Sequence, residues 1–117
     1  MHRDLELTNQ WTPICALDRI VPDTGVAALL NGRQVAVFRV GADDPRVFAI
    51  DNFDPNAQAA VLSRGLVGSI GERIVVASPI YKQHFDLHSG ECLEAPEHSV
   101  RVHAVRNENG QLMVALH

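Results

Sequence analysis

The sequence is poor in the features on which several functional classes depend. Basic residues are few: 10 Lys and Arg stand against 14 Asp and Glu, a formal net charge of −4. Proteins that bind nucleic acid instead concentrate basic residues on one surface. No run approaches the ~20 apolar residues of a membrane span, and the N-terminus lacks the apolar stretch of a signal peptide. These absences predict a cytoplasmic protein whose partners include neither nucleic acid nor a membrane.

Cysteine and aromatic residues are also scarce. Aromatic residues make up 5% of the 117 residues, so Val, Ala, Leu and Ile must form most of the core. The two cysteines, Cys15 and Cys92, lie far apart and belong to no CxxC or CxH unit. In a reducing compartment such cysteines are most often buried thiols, and we expect both in the core.

The chain does contain short β-rich runs separated by turn signals. Strands are predicted at 26–30, 35–40, 46–50, 73–77, 83–88, 100–105 and 112–116. Asn31-Gly32 and Asn109-Gly110 each lie between two such runs, which is the pattern of a hairpin with a type I′ turn. Apolar residues do not recur with helical spacing over three turns, so at most 17–20 or 57–62 forms a helical turn. The pattern favours one all-β domain, an antiparallel sandwich or small barrel.

Two proline-centred loops interrupt this series of predicted strands. One spans 51–63 around Pro55, and the other spans 78–82 around Pro79. Proline cannot donate to a sheet, so both segments should leave it, and we expect residues 51–91 to form a small protruding lobe. Loops on a rigid β scaffold commonly carry function.

Familiar catalytic and metal-binding patterns are absent. The glycines of 65–71 are spaced G-x-x-G-x-x-G, which is not the dinucleotide fingerprint, and no G-x-S-x-G surrounds a serine. His84 and His88 would share a strand face with Asp86, but no fixed pattern supplies a third and fourth metal ligand. We therefore predict no catalytic residue, no cofactor-binding residue and no metal ligand in this chain.

The two loops resemble the cluster-binding loops of Rieske ferredoxins. The frame matches at Asp51-Asn52, at both prolines, at 62–65 (LSRG) and at 85–91 (FDLHSGE). In that family the first loop reads C-x-H and the second C-x-x-H, and the four side chains hold a [2Fe–2S] cluster. Here Asp54 and Asn56 occupy the first pair of positions, and Ser78 and Tyr81 occupy the second pair. Such a cluster needs thiolate and imidazole ligands, so the resemblance implies a Rieske-like β-sandwich with a degenerate cluster-binding lobe.

A more specific resemblance covers almost the whole chain. The segments that carry it are 11–15, 24–39, 50–55, 61–68 and 77–93, of which SPIYKQHFDL at 78–87 is the most specific. The chain resembles the small subunits of assimilatory NAD(P)H-dependent nitrite reductases. This implies a cytoplasmic subunit without catalytic activity of its own. Its partner, the large subunit, would carry FAD, siroheme and an iron–sulfur cluster and reduce nitrite to ammonium.

The two proline loops, which we expect to form the tip of the lobe, suggest two roles for their residues. The tyrosine ring can fill the space of a missing cluster, and short Asx side chains can satisfy backbone N–H groups of the first loop. The tip can also dock on the large subunit, with Tyr81, Lys82, Gln83 and His84 as the contact residues. Two other functions stay open: an autonomous Rieske-type electron carrier with atypical ligands, and a Rieske-fold module that binds another partner.

Overall fold

The computed structural model describes residues 10–117, and within that range every strand pairing is antiparallel. The strands are β1 Thr12–Ala16, β2 Thr24–Leu30, β3 Arg33–Val40, β4 Arg46–Asp51, β5 Phe53–Asp54, β6 Ala59–Ala60, β7 Leu66–Ile70, β8 Arg73–Ala77, β9 His84–Asp86, β10 Val102–Glu108 and β11 Gln111–Ala115. Three short 3₁₀ turns cover Leu17–Arg19, Leu62–Arg64 and Pro96–His98. No helix of residues 10–117 is long and apolar enough to cross a membrane. The all-β prediction is confirmed.

Six strands form the main sheet, in the order β1-β11-β10-β4-β3-β2. Both predicted hairpins are present: Asn31 and Gly32 have φ of 50° and 80°, and Asn109 and Gly110 have 54° and 91°. Two consecutive positive φ angles define the type I′ turn, whose twist matches that of the strands it joins. The register of β1 against β11 shifts between Pro13 and Cys15, because proline cannot donate to the ladder.

The remaining strands lie between β4 and β10 in the chain. β5 and β6 form a two-stranded ribbon, and β7, β8 and β9 form a three-stranded sheet. The first proline loop connects β5 to β6, and the second connects β8 to β9. All five strands fall within 51–91, the segment expected to form the lobe.

The core has two parts, which lie on opposite faces of β3. On one face of β3, Val35 and Val37 pack with other residues of the first buried cluster, which are Ile20, Leu30, Ala49, Leu112 and Val114. Ala36 and Phe38 pack on the other side with Phe48, Ile50, Leu62, Val76, Phe85, Leu87 and Cys92. Alternate residues of a strand face opposite sides, so a strand buried on both faces reads as a continuous apolar run. The second cluster joins the main sheet to the lobe and holds the two loops in place.

Several expectations about local structure are wrong. Cys92 is buried but Cys15 is only partly so, because it lies on β1, an edge strand of the main sheet. Residues 57–62 form no helical turn, since β6 lies within them and the 3₁₀ turn begins only at Leu62. His88 lies beyond the end of β9, so it does not share a strand face with His84. β1 and β7 were not predicted as strands, and neither were β5 and β6, which lie within the first proline loop at 51–63.

Candidate functional site

The two proline loops meet through a buried hydrogen bond. The Ser78 hydroxyl donates to Oδ2 of Asp54 over 2.5 Å, and both residues are almost completely buried. They are two of the four positions that correspond to cluster ligands. The prediction that the loops lie side by side at the tip of the lobe is therefore confirmed, and a direct contact between two former ligand positions links them.

Asp54 also organises the first loop. Its Oδ1 accepts the backbone N–H of Asn56 over 2.9 Å and that of Ala57 over 3.3 Å. Its own carbonyl accepts the N–H of Gln58 over 2.8 Å. This is an Asx turn, in which a short carboxylate takes the place of a backbone acceptor. The prediction that an Asx side chain satisfies backbone donors of this loop is confirmed for Asp54.

The Asn56 side chain was expected to accept hydrogen bonds from backbone N–H groups of the first loop, but it bonds to other side chains instead. Its Oδ1 lies 2.5 Å from Nδ1 of His98, a contact that requires the proton on Nδ1. Its Nδ2 lies 3.8 Å from the Sγ of Cys92, which is fully buried. Cys92 is remote from the first loop in sequence yet lies directly beneath it. The Asn56 amide bridges this loop to the 3₁₀ turn Pro96–His98 rather than capping its own turn.

Tyr81 does not fill the space between the loops, contrary to expectation. The residue is 63% exposed, and its neighbour Ile80 is 49% exposed. The physical reason is the Asp54–Ser78 bond, which closes that space with two small side chains and leaves no room for a phenol ring. Tyr81 instead extends an aromatic surface into solvent at the end of the loop.

The second loop is a tight turn closed by backbone hydrogen bonds. The N–H of Ser78 donates to the carbonyl of Gln83 over 2.9 Å, and the N–H of Lys82 donates to the carbonyl of Ser78 over 3.0 Å. Lys82 has a φ of +61°. Gln83 is half-buried, and its Oε1 is buried without a hydrogen-bond partner among the described residues. Gln83 therefore belongs to the interior of the turn more than to its rim.

A carboxylate fixes the orientation of His84. Glu94 accepts the His84 backbone N–H over 2.8 Å, and its other oxygen lies 2.6 Å from Nδ1 of the ring. Partial burial raises the pKa of Glu94, but these hydrogen bonds and the proximity of His84 outweigh it and hold the pKa below its ordinary value. The ring is thus held at one nitrogen, and the residue lies at the edge of the tip.

A second ion-pair cluster braces the base of the lobe. Nε of Arg73 donates to Oδ2 of Asp86 over 2.7 Å, and the same guanidinium pairs with Glu91. Oδ1 of Asp86 accepts the N–H groups of His88 and Ser89. Burial raises the pKa of Asp86, but the bond from Arg73 and the two backbone bonds outweigh it and hold the pKa below its ordinary value. The FDLHSGE segment therefore forms a rigid turn around one carboxylate.

A groove of about 450 Å³ opens beside the second loop. It is lined by Arg64, Leu66, Ala77, Ser78, Pro79, Lys82 and His84. Its walls are the second loop on one side and the segment from the Leu62–Arg64 turn to β7 on the other. One of the four former ligand positions, Ser78, is part of its lining.

The donor set at these positions does not fit a [2Fe–2S] cluster. Asp54 and Ser78 are hydrogen-bonded to each other, the Asn56 amide is shared between His98 and Cys92, and Tyr81 faces solvent. One buried thiol lies nearby, whereas a cluster of this type requires two thiolates and two imidazoles. Residues 10–117 contain no group of three His, Cys, Asp or Glu side chains placed to hold a metal ion.

Comparison with known proteins identifies this architecture. The family model of the Rieske-like [2Fe–2S] domain matches residues 10–115. The chain is 46% identical over 102 residues to the nitrite reductase (NADH) small subunit of Escherichia coli strain K12, covering 87% of this chain and 94% of that protein. The NMR structure of the E. coli protein NirD superposes with a TM-score of 0.83 at 45% identity, over 90% of this chain and 94% of that one.

A further relative joins the same domain to a larger protein. The chain is 43% identical over 104 residues to the nitrite reductase [NAD(P)H] large subunit of Klebsiella oxytoca, covering 89% of this chain but 11% of that protein. The chain belongs to the family of Rieske-like [2Fe–2S] domains. Within that family it belongs with the small subunits of NAD(P)H-dependent nitrite reductase, which are parts of an oxidoreductase.

Sequence reasoning identified the four ligand positions but missed the residues that surround them. Arg64 and Leu66 form one wall of the groove, and Arg64 was recognised only as part of the LSRG frame. Glu94 and His98, which orient His84 and Asn56, gave no signal, because a polar residue in a connecting segment is normally solvated. Only the folded contacts assign them a partner.

Proposed function

We propose that this chain is the non-catalytic small subunit of a cytoplasmic NAD(P)H-dependent nitrite reductase and acts by binding the large subunit. The observation that carries the proposal is a complete Rieske-like frame in which three of the four former ligand positions, Asp54, Asn56 and Ser78, bond to protein groups. In the proposal the whole chain is one domain with 51–91 as its lobe, and it holds no cofactor. FAD, siroheme and an iron–sulfur cluster belong to the large subunit.

The relative from Klebsiella oxytoca supports the choice of partner. There a domain 43% identical to this chain is part of a nitrite reductase large subunit, so the two units work within one polypeptide. A separate chain with the same domain would have to reach the same place by non-covalent binding. The exposed tip is the surface we assign to that contact, with Tyr81, Lys82 and His84 at its rim and Gln83 supporting the turn from within.

The exposed side chains of the second loop support this assignment. Pro79, Ile80 and Tyr81 are consecutive and all exposed, although scattered single apolar residues are the usual pattern on a protein surface. Tyrosine provides apolar area together with one hydroxyl, a combination enriched where binding energy concentrates at interfaces. A rigid turn that presents such a group loses little entropy on binding.

The direct test is co-expression of the tagged small subunit with its large subunit, followed by co-purification and a nitrite-dependent NAD(P)H oxidation assay. We expect Tyr81→Ala to weaken association by ~1–3 kcal/mol without unfolding the isolated chain, since the side chain is exposed. Leu29→Ala is the matched control, because Leu29 is 70% exposed on β2, outside the lobe. Failure of the wild-type chain to co-purify, or equal weakening by both variants, would contradict the proposal.

A further inference from the structure

The groove beside the second loop has an unbalanced charge. Its seven lining residues include Arg64, Lys82 and His84 and no carboxylate, in a chain whose formal net charge is −4. His84 is held by Glu94, which lies outside the lining and offsets its charge when the ring is protonated. The fixed positive charges of the groove are therefore those of Arg64 and Lys82.

Three arginines of the described structure form ion pairs with carboxylates, whereas Arg64 and Lys82 do not. Arg33 pairs with Asp51, Arg73 pairs with Asp86 and Glu91, and Arg106 pairs with Glu108. Neither Arg64 nor Lys82 has an ion-pair partner within residues 10–117, and both are exposed. Two uncompensated cations thus lie on one groove, and a partner can neutralise them without breaking an internal pair.

The backbone at Lys82 gives an independent indication. Its φ of +61° lies in the left-handed region, which is unfavourable for a residue with a β-carbon and which Gly or Asn adopts more readily. The two backbone bonds of the turn hold it there. Strain of this kind clusters at functional sites, where the surrounding structure holds a side chain in place. The left-handed backbone is thus unfavourable for lysine at this position, yet Lys82 is held there as part of the groove lining.

The apolar residues of the groove indicate that the partner also presents an apolar group. Leu66 is 80% exposed on one wall, and Pro79 is exposed on the opposite one. A large aliphatic side chain this exposed gains free energy when another apolar group covers it. The groove therefore offers both a pair of cations and an apolar contact within a space of about 450 Å³.

We propose that this groove binds an acidic segment of the nitrite reductase large subunit. A carboxylate of that segment faces Arg64 and Lys82, and an adjacent apolar side chain rests between Leu66 and Pro79. This inference rests on the proposed function and adds to it the location and the chemistry of the contact. It also makes association sensitive to salt, because the cations are exposed and their attraction is screened.

The deciding variant is Lys82→Asn, which separates the role of the charge from that of the turn. Asparagine accepts the left-handed backbone, so the urea midpoint of the isolated chain should stay at or above the wild-type value. Affinity for the large subunit should fall about ten-fold, and its decrease with added NaCl should become shallower. Arg64→Gln, which leaves the turn untouched, should weaken binding in the same way. Arg19→Gln is the matched control, because Arg19 is also exposed and without an ion-pair partner within residues 10–117 but lies outside the groove.

The outcomes separate the two proposals. If the wild-type chain binds the large subunit and both groove variants bind like Arg19→Gln, the groove is not the contact, and the inference is wrong while the proposed function stands. If the wild-type chain does not bind the large subunit at all, both are wrong. Weaker, less salt-sensitive binding by both groove variants with unchanged folding supports the inference.

Discussion

The buried pair of Asp54 and Ser78 is the residue-scale feature that distinguishes this chain from a cluster-binding Rieske domain. The pair links two loops that are 24 residues apart. A carboxylate buried without a cation is stable only if its oxygens are hydrogen-bonded, and here Oδ1 accepts two N–H groups while Oδ2 accepts the serine hydroxyl. A hydrogen-bond network thus links the loops at positions where a Rieske domain would place a cluster.

This network predicts the effect of removing the hydroxyl. Ser78→Ala leaves Oδ2 of Asp54 buried without its donor, and we expect a loss of about 1–3 kcal/mol in the free energy of unfolding. Urea denaturation of the isolated chain measures it. Ser69→Ala on β7 is the control, because Ser69 is exposed and its hydroxyl has no hydrogen bond within the described residues. Equal urea midpoints for the two variants would show that the buried bond does not stabilise the lobe.

Asp86 predicts a pH dependence of stability. Its pKa is below the ordinary value in the folded chain, so its ionised form stabilises the fold above the unfolded pKa of about 3.9. That stabilisation is lost as the pH falls through the lower, folded pKa. We expect Asp86→Asn to cost about 1–3 kcal/mol at neutral pH, since a carboxylate bonded to Arg73 is lost. The difference from wild type should shrink below about pH 4.

The measurement is urea denaturation across pH 2.5–7, with the free energy of unfolding of both chains compared at each pH. Asp43→Asn is the control, because Asp43 is an exposed turn residue and its carboxylate accepts no hydrogen bond within residues 10–117. A wild-type chain and an Asp86→Asn variant with parallel pH profiles would rule out a stabilising role for the ionised Asp86.

At the scale of elements, one close approach of backbone positions the groove. Gly65 follows the Leu62–Arg64 turn and precedes β7. A β-carbon placed on Gly65 would lie 2.3 Å from the carbonyl oxygen of Ala77, the residue before Ser78. Only glycine lets these two segments approach so closely, and their approach fixes both walls of the groove.

Gly65→Ala should therefore force the segments apart. We expect a loss of about 1–3 kcal/mol in the free energy of unfolding, the usual range for overpacking. Gly68→Ala is a matched control two residues into β7, because a β-carbon there meets nothing within 4 Å, and its effect should stay within about 0.5 kcal/mol. Thermal unfolding of the two variants gives the comparison. If Gly65→Ala is as mild as Gly68→Ala, the segments are free to separate.

At the scale of the whole molecule, the lobe is joined to the main sheet because the core continues into it. Leu62, Val76, Phe85 and Leu87 of the lobe pack with Phe38 and Ile50 of the main sheet in one buried group. Burial of side chains of this size stabilises by about 1.5–3 kcal/mol each. Folding therefore depends on apolar packing, with the Asp54–Ser78 bond as a local link at the tip.

This architecture predicts that the purified chain folds without iron. Protein produced with added iron and isolated under anaerobic conditions should be colourless, with no visible absorption, because Asp54, Asn56 and Ser78 are already bonded to protein and Tyr81 faces solvent. Iron and acid-labile sulfide assays give the quantitative check. Stoichiometric iron and sulfide would contradict the prediction and favour the autonomous electron carrier.

Features that depend on short-range chemistry could be predicted from the sequence. Asn31-Gly32 and Asn109-Gly110 fixed two hairpins, since these residues tolerate the positive φ angles of a type I′ turn. The prolines located both loops, because proline cannot continue a ladder. The replacement of Cys and His by Asp54, Asn56, Ser78 and Tyr81 predicts that no [2Fe–2S] cluster is bound, because donor type is a property of each side chain.

Contacts between side chains from distant segments could not be predicted from the sequence. β1 was missed because its pairing with β11 joins the two ends of the described chain, and no local period marks it. The exposure of Tyr81 follows from the bond between Asp54 and Ser78, and that partnership has no sequence signal. The groove likewise combines Arg64 with Lys82, which come from separate segments. Such contacts are set by the packing of the whole lobe, because a side chain's partners depend on how distant segments close around it.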